Sequence, residues 1–209
     1  MPKQEFPFPM PNGWFCVTRS DEIKAGELKN IKFCENNVAA FRTKSGKAAV
    51  LDAYCGYSGI NLALCGEVRE EALYCPKTGI KWSADGSCID IDGDSLTPGS
   101  AKDIKIFNYP VVEINGFIWA WHHLLKEKPY FELPVLDGFN GDDDKWGKVY
   151  HYEYKINTVL QEIAENDVDQ AHFPKVHGSP SLPETEAIVD GIYRKTIAET
   201  LMDPNNDSV

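Results

Sequence analysis

The alternation of short apolar segments with turn residues, from Trp14 to about Leu125, is the feature that most restricts how this chain can fold. Gly, Asn, Asp and Ser residues separate the segments, which is typical of short antiparallel strands. At 209 residues and 43% hydrophobic content the chain can bury one sizeable core or two modest ones. The predicted strands are 15–18, 31–34, 38–42, 47–53, 72–74, 104–107, 110–114 and 117–121.

A second region is predicted to begin near Lys148, after the acidic run 142–144, which has the composition of a solvated loop. We therefore divide the chain into an N-terminal extension (1–13), a first domain (14–140) and a second domain (141–209). The second domain mixes strand and helix patterns, so the fold class is mainly β with some α, an α+β protein.

The second domain carries three local patterns. Alternation over 149–156 predicts a strand whose aromatic side chains, Tyr150, Tyr152 and Tyr154, form one buried face. Thr158 and Gln161 form a capping box for a helix that Pro174 should end. Residues 186–198, with Asp190-Gly191 between them, predict a hairpin. The apolar face of that helix would hold Leu160, Ile163, Ala164, Asp167, Val168 and Ala171.

Charge and composition restrict the partners and the compartment. The formal net charge is −11 and no lysine or arginine cluster offsets it locally, so we expect neither nucleic acid nor anionic lipid as a partner. No stretch approaches the roughly 20 apolar residues of a membrane span, and the first residues lack the pattern of a signal peptide. We expect a cytoplasmic protein whose six cysteines are free thiols or metal ligands.

Two cysteine loops carry the first functional pattern, Cys55-Gly56-Tyr57 and Cys75-Pro76-Lys77-Thr78-Gly79. With the surrounding residues they resemble the Rieske domain of ring-hydroxylating and sterol-type oxygenases. The resemblance implies a Rieske-like antiparallel β-sandwich followed by a truncated helix-grip-like catalytic domain. The matching residues outside the loops are Asn12-Gly13-Trp14, Leu51-Asp52-Ala53, Gly59, Leu62, Trp82, Asp85-Gly86, Trp119-Ala120-Trp121 and Pro134.

The two cysteine loops depart from the family at the histidine positions. A Rieske cluster binds one iron through two cysteines and the other through two imidazoles, and Tyr57 and Thr78 occupy the imidazole positions here. We therefore expect no [2Fe–2S] cluster. Cys55 and Cys75 would be packed thiols, or zinc ligands together with Cys65 or Cys88, or partners in a disulfide.

The second functional pattern is Asp169-x-x-His172-x4-His177, which matches the mononuclear-iron motif of the same family. The resemblance implies that His172 and His177 bind iron and that Asp169 links this iron to a neighbouring subunit's cluster. The third iron ligand of the family lies far downstream, whereas this chain ends 32 residues after His177. Unless Asp167, Asp169 or Glu184 substitutes, the site would be weak, and the alternative is two histidines held by neighbours such as Asp169.

The function expected from these departures is a non-redox enzyme without a cofactor. It would cyclise, isomerise or dehydrate an apolar small molecule, with Asp169, His172, His177 or Tyr57 as acid–base groups. Two alternatives stay open: a non-catalytic partner subunit of a complete Rieske oxygenase, and an oxidoreductase with unusually ligated iron. The resemblance also implies a homo-oligomer, a trimer, or association with a complete family member.

Overall fold

The computed structural model describes residues 10–91, 103–136, 138–139, 146–147, 150–166 and 168–199, except the side chain of Leu160. The described residues up to 147 belong to one compact unit, and those from Tyr150 onward belong to a second. The acidic run 142–144 and Asp167 lie outside the described residues.

Short strands build the first unit, together with a 3₁₀ turn, Ser20–Glu22, and one short helix, α1, Leu62–Cys65. Its described strands are β1 Gly13–Arg19, β2 Leu28–Phe33, β3 Asn36–Arg42, β4 Ala48–Asp52, β5 Glu67–Arg69, β6 Ala72–Tyr74, β7 Ile80–Ser83, β8 Cys88–Ile91, β9 Asn108–Tyr109, β10 Val111–Ile114 and β11 Phe117–His122. The second unit contains α2 Leu160–Asn166, α3 His172–Val176, β12 Glu184–Asp190 and β13 Tyr193–Glu199.

Antiparallel pairing organises the first unit into three sheets, with the orders β1-β11-β10, β2-β3-β4-β9 and β5-β6-β7-β8. The middle sheet, β2-β3-β4-β9, is buried on both faces. Along β3, Val38 and Ala40 pack into one core cluster, while Ala39 and Phe41 pack into the other. A strand buried on both faces must be apolar at every position, which explains the continuous apolar runs in β3 and β4.

The first core cluster positions the cysteine loops. It joins the middle sheet to the sheet that contains β6 and β7, and Cys55, Cys75 and Trp82 belong to it. The second cluster joins the other face of the middle sheet to Ile118 and Ala120 of β11. The expectation of a mainly β protein with a few short helices is confirmed.

Some predicted strands of the first unit are displaced. The predicted strand 104–107 contributes only one isolated bridge, at Lys105, and the strand in this part of the chain is β9. Sequence alternation also missed β5, β7 and β8. These strands are three or four residues long, which is too short for a periodicity signal.

The predicted strand over 149–156 is wrong for its described residues, 150–156, which form no strand. Its three tyrosines, predicted to share a buried face, are exposed by 68%, 73% and 79% at Tyr150, Tyr152 and Tyr154. Alternation of aromatic and polar residues favours a strand only where another strand pairs with it, and no such pairing occurs in the part of the chain that the structure describes.

The predicted long helix is interrupted. Helix α2 ends at Asn166, and α3 begins at His172. Pro174 lies inside α3, in its first turn, where a missing N–H removes no helical hydrogen bond. The predicted hairpin is confirmed, but Asp190 pairs with Tyr193, so that Gly191 and Ile192 form the turn. Within the described ranges, no helix is long and apolar enough to cross a membrane.

Candidate functional site

The two cysteine loops close through the same backbone hydrogen bonds. The N–H of Cys55 donates to Ile60 O at 2.8 Å, and that of Cys75 donates to Ile80 O at 2.9 Å. In each loop a glycine four residues after the cysteine donates its N–H to the cysteine carbonyl, at 2.8 Å in both cases. The two loops are therefore matching turns that each present one thiol.

Glycine is favoured at the end of both loops. Gly59 has a φ of 68° and Gly79 a φ of 72°, in the left-handed region that other residues enter at a cost. Both cysteines are buried, with 2% of Cys55 and none of Cys75 exposed. Both are free thiols in the structure, so the alternative of a disulfide between them gains no support.

Tyr57 and Thr78 occupy the two remaining ligand positions of the loops. Tyr57 is 42% exposed, and the Thr78 hydroxyl oxygen accepts a hydrogen bond from Ile80 N at 3.4 Å. A threonine hydroxyl is a neutral oxygen donor, and a phenol must lose a proton with a pKa near 10 before it can bind iron as an anion. The residues present fit the cysteine-bound iron of a Rieske cluster and do not fit the histidine-bound iron.

A third thiol lies beside the cysteine loops. Cys65 ends helix α1, and its thiol donates a hydrogen bond to Asn61 O at 3.2 Å. Burial raises the pKa of this thiol, and the neighbouring Cys75 raises it further. Cys88 packs against the same core cluster. Among the described residues, however, no group of three or more His, Cys, Asp or Glu side chains is arranged to hold a metal ion, so the zinc alternative gains no support.

The structure brings His172 and His177 together at the two ends of α3. Their ring centroids are 5.2 Å apart, and Phe173 lies against both rings, at 4.5 Å from His172 and 5.6 Å from His177. Pro174 lies between the two histidines, and the N–H of His177 donates to Phe173 O at 3.0 Å, which closes the turn. The five-residue spacing is therefore bridged by one short helix.

Asp169 orients the first histidine. His172 Nδ1 donates to the backbone oxygen of Asp169 at 2.5 Å, and the nearer carboxylate oxygen is 3.7 Å away. A neutral imidazole that donates from Nδ1 keeps the lone pair of Nε2 for a metal. The Asp169 carboxylate also accepts a hydrogen bond from Ala171 N at 3.0 Å. Asp169 therefore positions an imidazole, which is a typical arrangement around a metal-binding histidine.

A cavity of about 550 Å³ borders the histidine pair. The sequence alone did not identify Arg194, which lies on β13 and donates a hydrogen bond to Ala164 O at 3.1 Å. Glu184, predicted as a substitute carboxylate, is exposed at the start of β12 and does not line this cavity. Tyr57 belongs to the other unit. The lining residues are Ala164, Asn166, His172, Phe173, His177, Arg194, Thr196 and Ala198.

Two family models match the chain. The Rieske [2Fe-2S] domain matches residues 13–108, and the C-terminal domain of 3-ketosteroid 9alpha-hydroxylase matches residues 120–204. The first match contains both cysteine loops, and the second contains both histidines.

Relatives and solved structures agree with these matches. Cholesterol 7-desaturase of Bombyx mori is 34% identical over 86% of this chain and 38% of its own length. A probable 3-ketosteroid-9-alpha-monooxygenase oxygenase component of Rhodococcus rhodochrous is 32% identical over 81% of this chain and 42% of its own. The chain thus spans about two fifths of these curated relatives. The fold is similar to that of dicamba monooxygenase bound to dicamba, with a TM-score of 0.62 and 22% identity over 86% of this chain and 53% of that chain.

The expected non-redox enzyme without a cofactor is wrong. The matched domains and the relatives, a desaturase and a monooxygenase, point to a [2Fe–2S] cluster, non-haem iron and redox chemistry. The expectation failed because it equated two substituted ligand positions with the loss of the whole site. Both thiols and both loop closures are retained. The predicted trimer, and the predicted pairing with a complete family member, stay predictions.

The two domain matches follow one another along the chain and together cover most of it. The relatives align over more than four fifths of the chain, which includes parts of both matched regions. The chain belongs to the family of Rieske-type non-haem iron oxygenases.

Proposed function

We propose that this protein is an oxidoreductase that acts on an apolar, polycyclic molecule of the sterol class, with His172 and His177 as iron ligands. The observation that carries the proposal is the histidine pair, whose rings lie 5.2 Å apart beside a cavity. The named substrates of the relatives, cholesterol and a 3-ketosteroid, support the substrate class.

The chemistry of the cavity lining agrees with an apolar ligand that carries few polar groups. Phe173, Ala164 and Ala198 supply apolar surface, while Thr196 and Arg194 supply hydrogen-bond donors. A cavity of this type orients a ligand through a small number of polar contacts. An oxygen at one end of a polycyclic molecule would find its donor at Thr196 or Arg194.

The imidazoles of His172 and His177 would bind the iron, and a two-histidine, one-carboxylate site also requires a carboxylate. His172 is held by Asp169, and Phe173 packs against both rings. When bound, iron of this class activates dioxygen. His172 and His177 would bind the metal, Asp169 would fix the first imidazole, and Phe173 would keep an apolar surface beside them.

The proposal is tested by adding ferrous iron and nitric oxide anaerobically and recording the electron paramagnetic resonance signal of the mononuclear iron nitrosyl. The wild-type chain should give this signal, and cholesterol should change its shape, whereas a linear fatty acid should not. The double variant His172→Ala/His177→Ala should lose the signal.

His151→Ala is the matched control, because it removes an exposed imidazole of the same unit that does not line the cavity. It should keep the full signal. An undiminished signal in the double variant would remove the two histidines from the iron site, and a signal insensitive to cholesterol would overturn the substrate class.

A further inference from the structure

One face of strand β13 forms a wall of the cavity beside the two histidines. Arg194, Thr196 and Ala198 line the cavity, whereas Lys195 and Ile197 between them do not. Successive side chains of a strand point to opposite faces, and four residues of strand extend over about 13 Å. The cavity wall is therefore elongated, with Arg194 at one end and Ala198 at the other.

The guanidinium of Arg194 is held in place by helix α2. Its Nη1 donates a hydrogen bond to Ala164 O at 3.1 Å. Ala164 lies in the last turn of α2, where the carbonyl groups have no partner within the helix. An arginine has five N–H donors, and this bond uses one of them. The contact fixes the side chain beside the cavity and leaves donors for a ligand.

Arg194 also determines the charge of the cavity. Among the described residues that line it, Arg194 is the permanent charge, and neither Asp nor Glu is present. The whole chain has a formal net charge of −11, so a general attraction for anions is absent and any such preference must be local. A guanidinium matches the paired oxygens of a carboxylate or a similar anion, to which it can donate two parallel hydrogen bonds.

We propose that Arg194 selects an anionic form of the polycyclic substrate, with a carboxylate or a sulfate ester at one end of the molecule. The inference rests on the proposed function, because it assigns a ligand group to one end of the same cavity. The apolar body of the molecule lies along Thr196 and Ala198 and against Phe173, and the anionic group pairs with the guanidinium. A neutral hydroxyl group accepts a weaker hydrogen bond there. Arg194 is thus a specificity-determining residue.

The selectivity is tested by equilibrium dialysis of the whole chain against two pairs of ligands, each below its micelle concentration. The first pair is cholesterol sulfate and cholesterol, and the second is cholenic acid and its methyl ester. We expect the anion of at least one pair to bind at least about tenfold more tightly than its neutral counterpart, because hydrogen bonds between charged groups are stronger. The preferred pair identifies the end of the molecule that contacts Arg194.

Two variants assign the preference to one residue. Arg194→Gln should remove the preference for the anion and change the affinity for the neutral ligand by less than about threefold, since the apolar contacts remain. Lys195→Gln is the matched control. It removes the same charge from the next residue of β13, which is exposed and does not line the cavity, and it should keep the preference.

The possible failures are distinguishable. Equal affinities for anion and neutral counterpart in the wild-type chain would overturn the role of Arg194 and leave the proposed function intact, whereas no binding of any of the four ligands would overturn both. A preference that persists in Arg194→Gln, or that Lys195→Gln loses to the same extent, would also contradict the inference. The wild-type comparison remains decisive if Arg194→Gln does not fold.

Discussion

At the scale of single residues, the two cysteine loops share one backbone arrangement, while Tyr57 and Thr78 stand where a Rieske cluster needs imidazoles. Both loops close with equivalent hydrogen bonds around Cys55 and Cys75. Tyr57 is exposed and belongs to neither core cluster, so its replacement removes no contact from them. Substitutions at such surface positions usually change the free energy of unfolding by less than about 0.5 kcal/mol. The loops should therefore accept imidazoles without a change of fold.

The double variant Tyr57→His/Thr78→His should bind a cluster with nitrogen ligands after reconstitution with iron and sulfide. Pulsed electron paramagnetic resonance of the reduced protein should show couplings to two imidazole nitrogens, which the parent loops do not supply. Tyr54→His, at a position 47% exposed beside the first loop, should add no such coupling. Identical spectra for the double variant and the parent protein would show that the loops do not present these positions to the metal.

At the scale of the elements, Arg42 connects four segments of the first unit. Its guanidinium donates to Ser20 O at 2.9 Å, Ile23 O at 2.7 Å and Gly46 O at 2.8 Å. It also forms a bidentate ion pair with the Glu113 carboxylate of β10, with N–O distances of 2.8 and 2.9 Å. The side chain is only 13% exposed. All five N–H donors of the Arg42 guanidinium are therefore used. A lysine ammonium has only three N–H donors and cannot make the same set of hydrogen bonds.

Replacing Arg42 by lysine should lower the free energy of unfolding by about 2 kcal/mol, because carbonyls and a carboxylate lose charged donors. The loss is measured by urea unfolding at neutral pH. Arg19→Lys, at a more exposed pair with Asp21, should cost less than about 0.5 kcal/mol. Equal costs for the two variants would contradict the role assigned to Arg42.

Lowering the pH should reduce the difference in free energy of unfolding between the wild type and Arg42→Lys. The hydrogen bond from Arg42 is the main cause that lowers the pKa of Glu113. A carboxyl group with a lowered folded pKa contributes stability above its unfolded pKa and loses it as the pH falls through the folded value. The same urea measurements repeated at decreasing pH should therefore give converging free energies.

At the scale of the whole molecule, the apolar core of the described residues lies within the first unit. Both core clusters are formed by residues between Ile23 and Ala120. The hairpin β12–β13 is fully paired over seven residues in each strand, yet Ile188 and Val189 remain 45% and 69% exposed. The hairpin β12–β13 is thus fully paired, as β2–β3 is, while its apolar side chains are less buried.

Hydrogen exchange followed by mass spectrometry should reveal this difference. The amides of β12–β13 should exchange at least about tenfold faster than those of β2–β3, because opening a hairpin without a core costs less free energy. The pair β2–β3 is a suitable reference, since it is also antiparallel and has strands of six and seven residues. Equal protection would mean that strand pairing alone sets local stability here.

The sequence by itself determined the features that depend on neighbouring residues. The cysteine loops, the histidine motif and the hairpin of the second unit could be predicted because their turn residues and ligand spacings are local. Most strands of the first unit could be predicted for the same reason, whereas 150–156 could not, since a strand needs a partner that local alternation does not supply.

Only the tertiary structure decided which residues meet across the chain. Burial of both faces of the middle sheet and the five acceptor atoms around Arg42 both join segments that are separate in sequence. The helix predicted from Thr158 to Pro174 was divided at Asn166, and the division places two histidines at the ends of one short helix. Pairing and packing between distant segments set these contacts, and hydrophobic periodicity along the chain does not predict them.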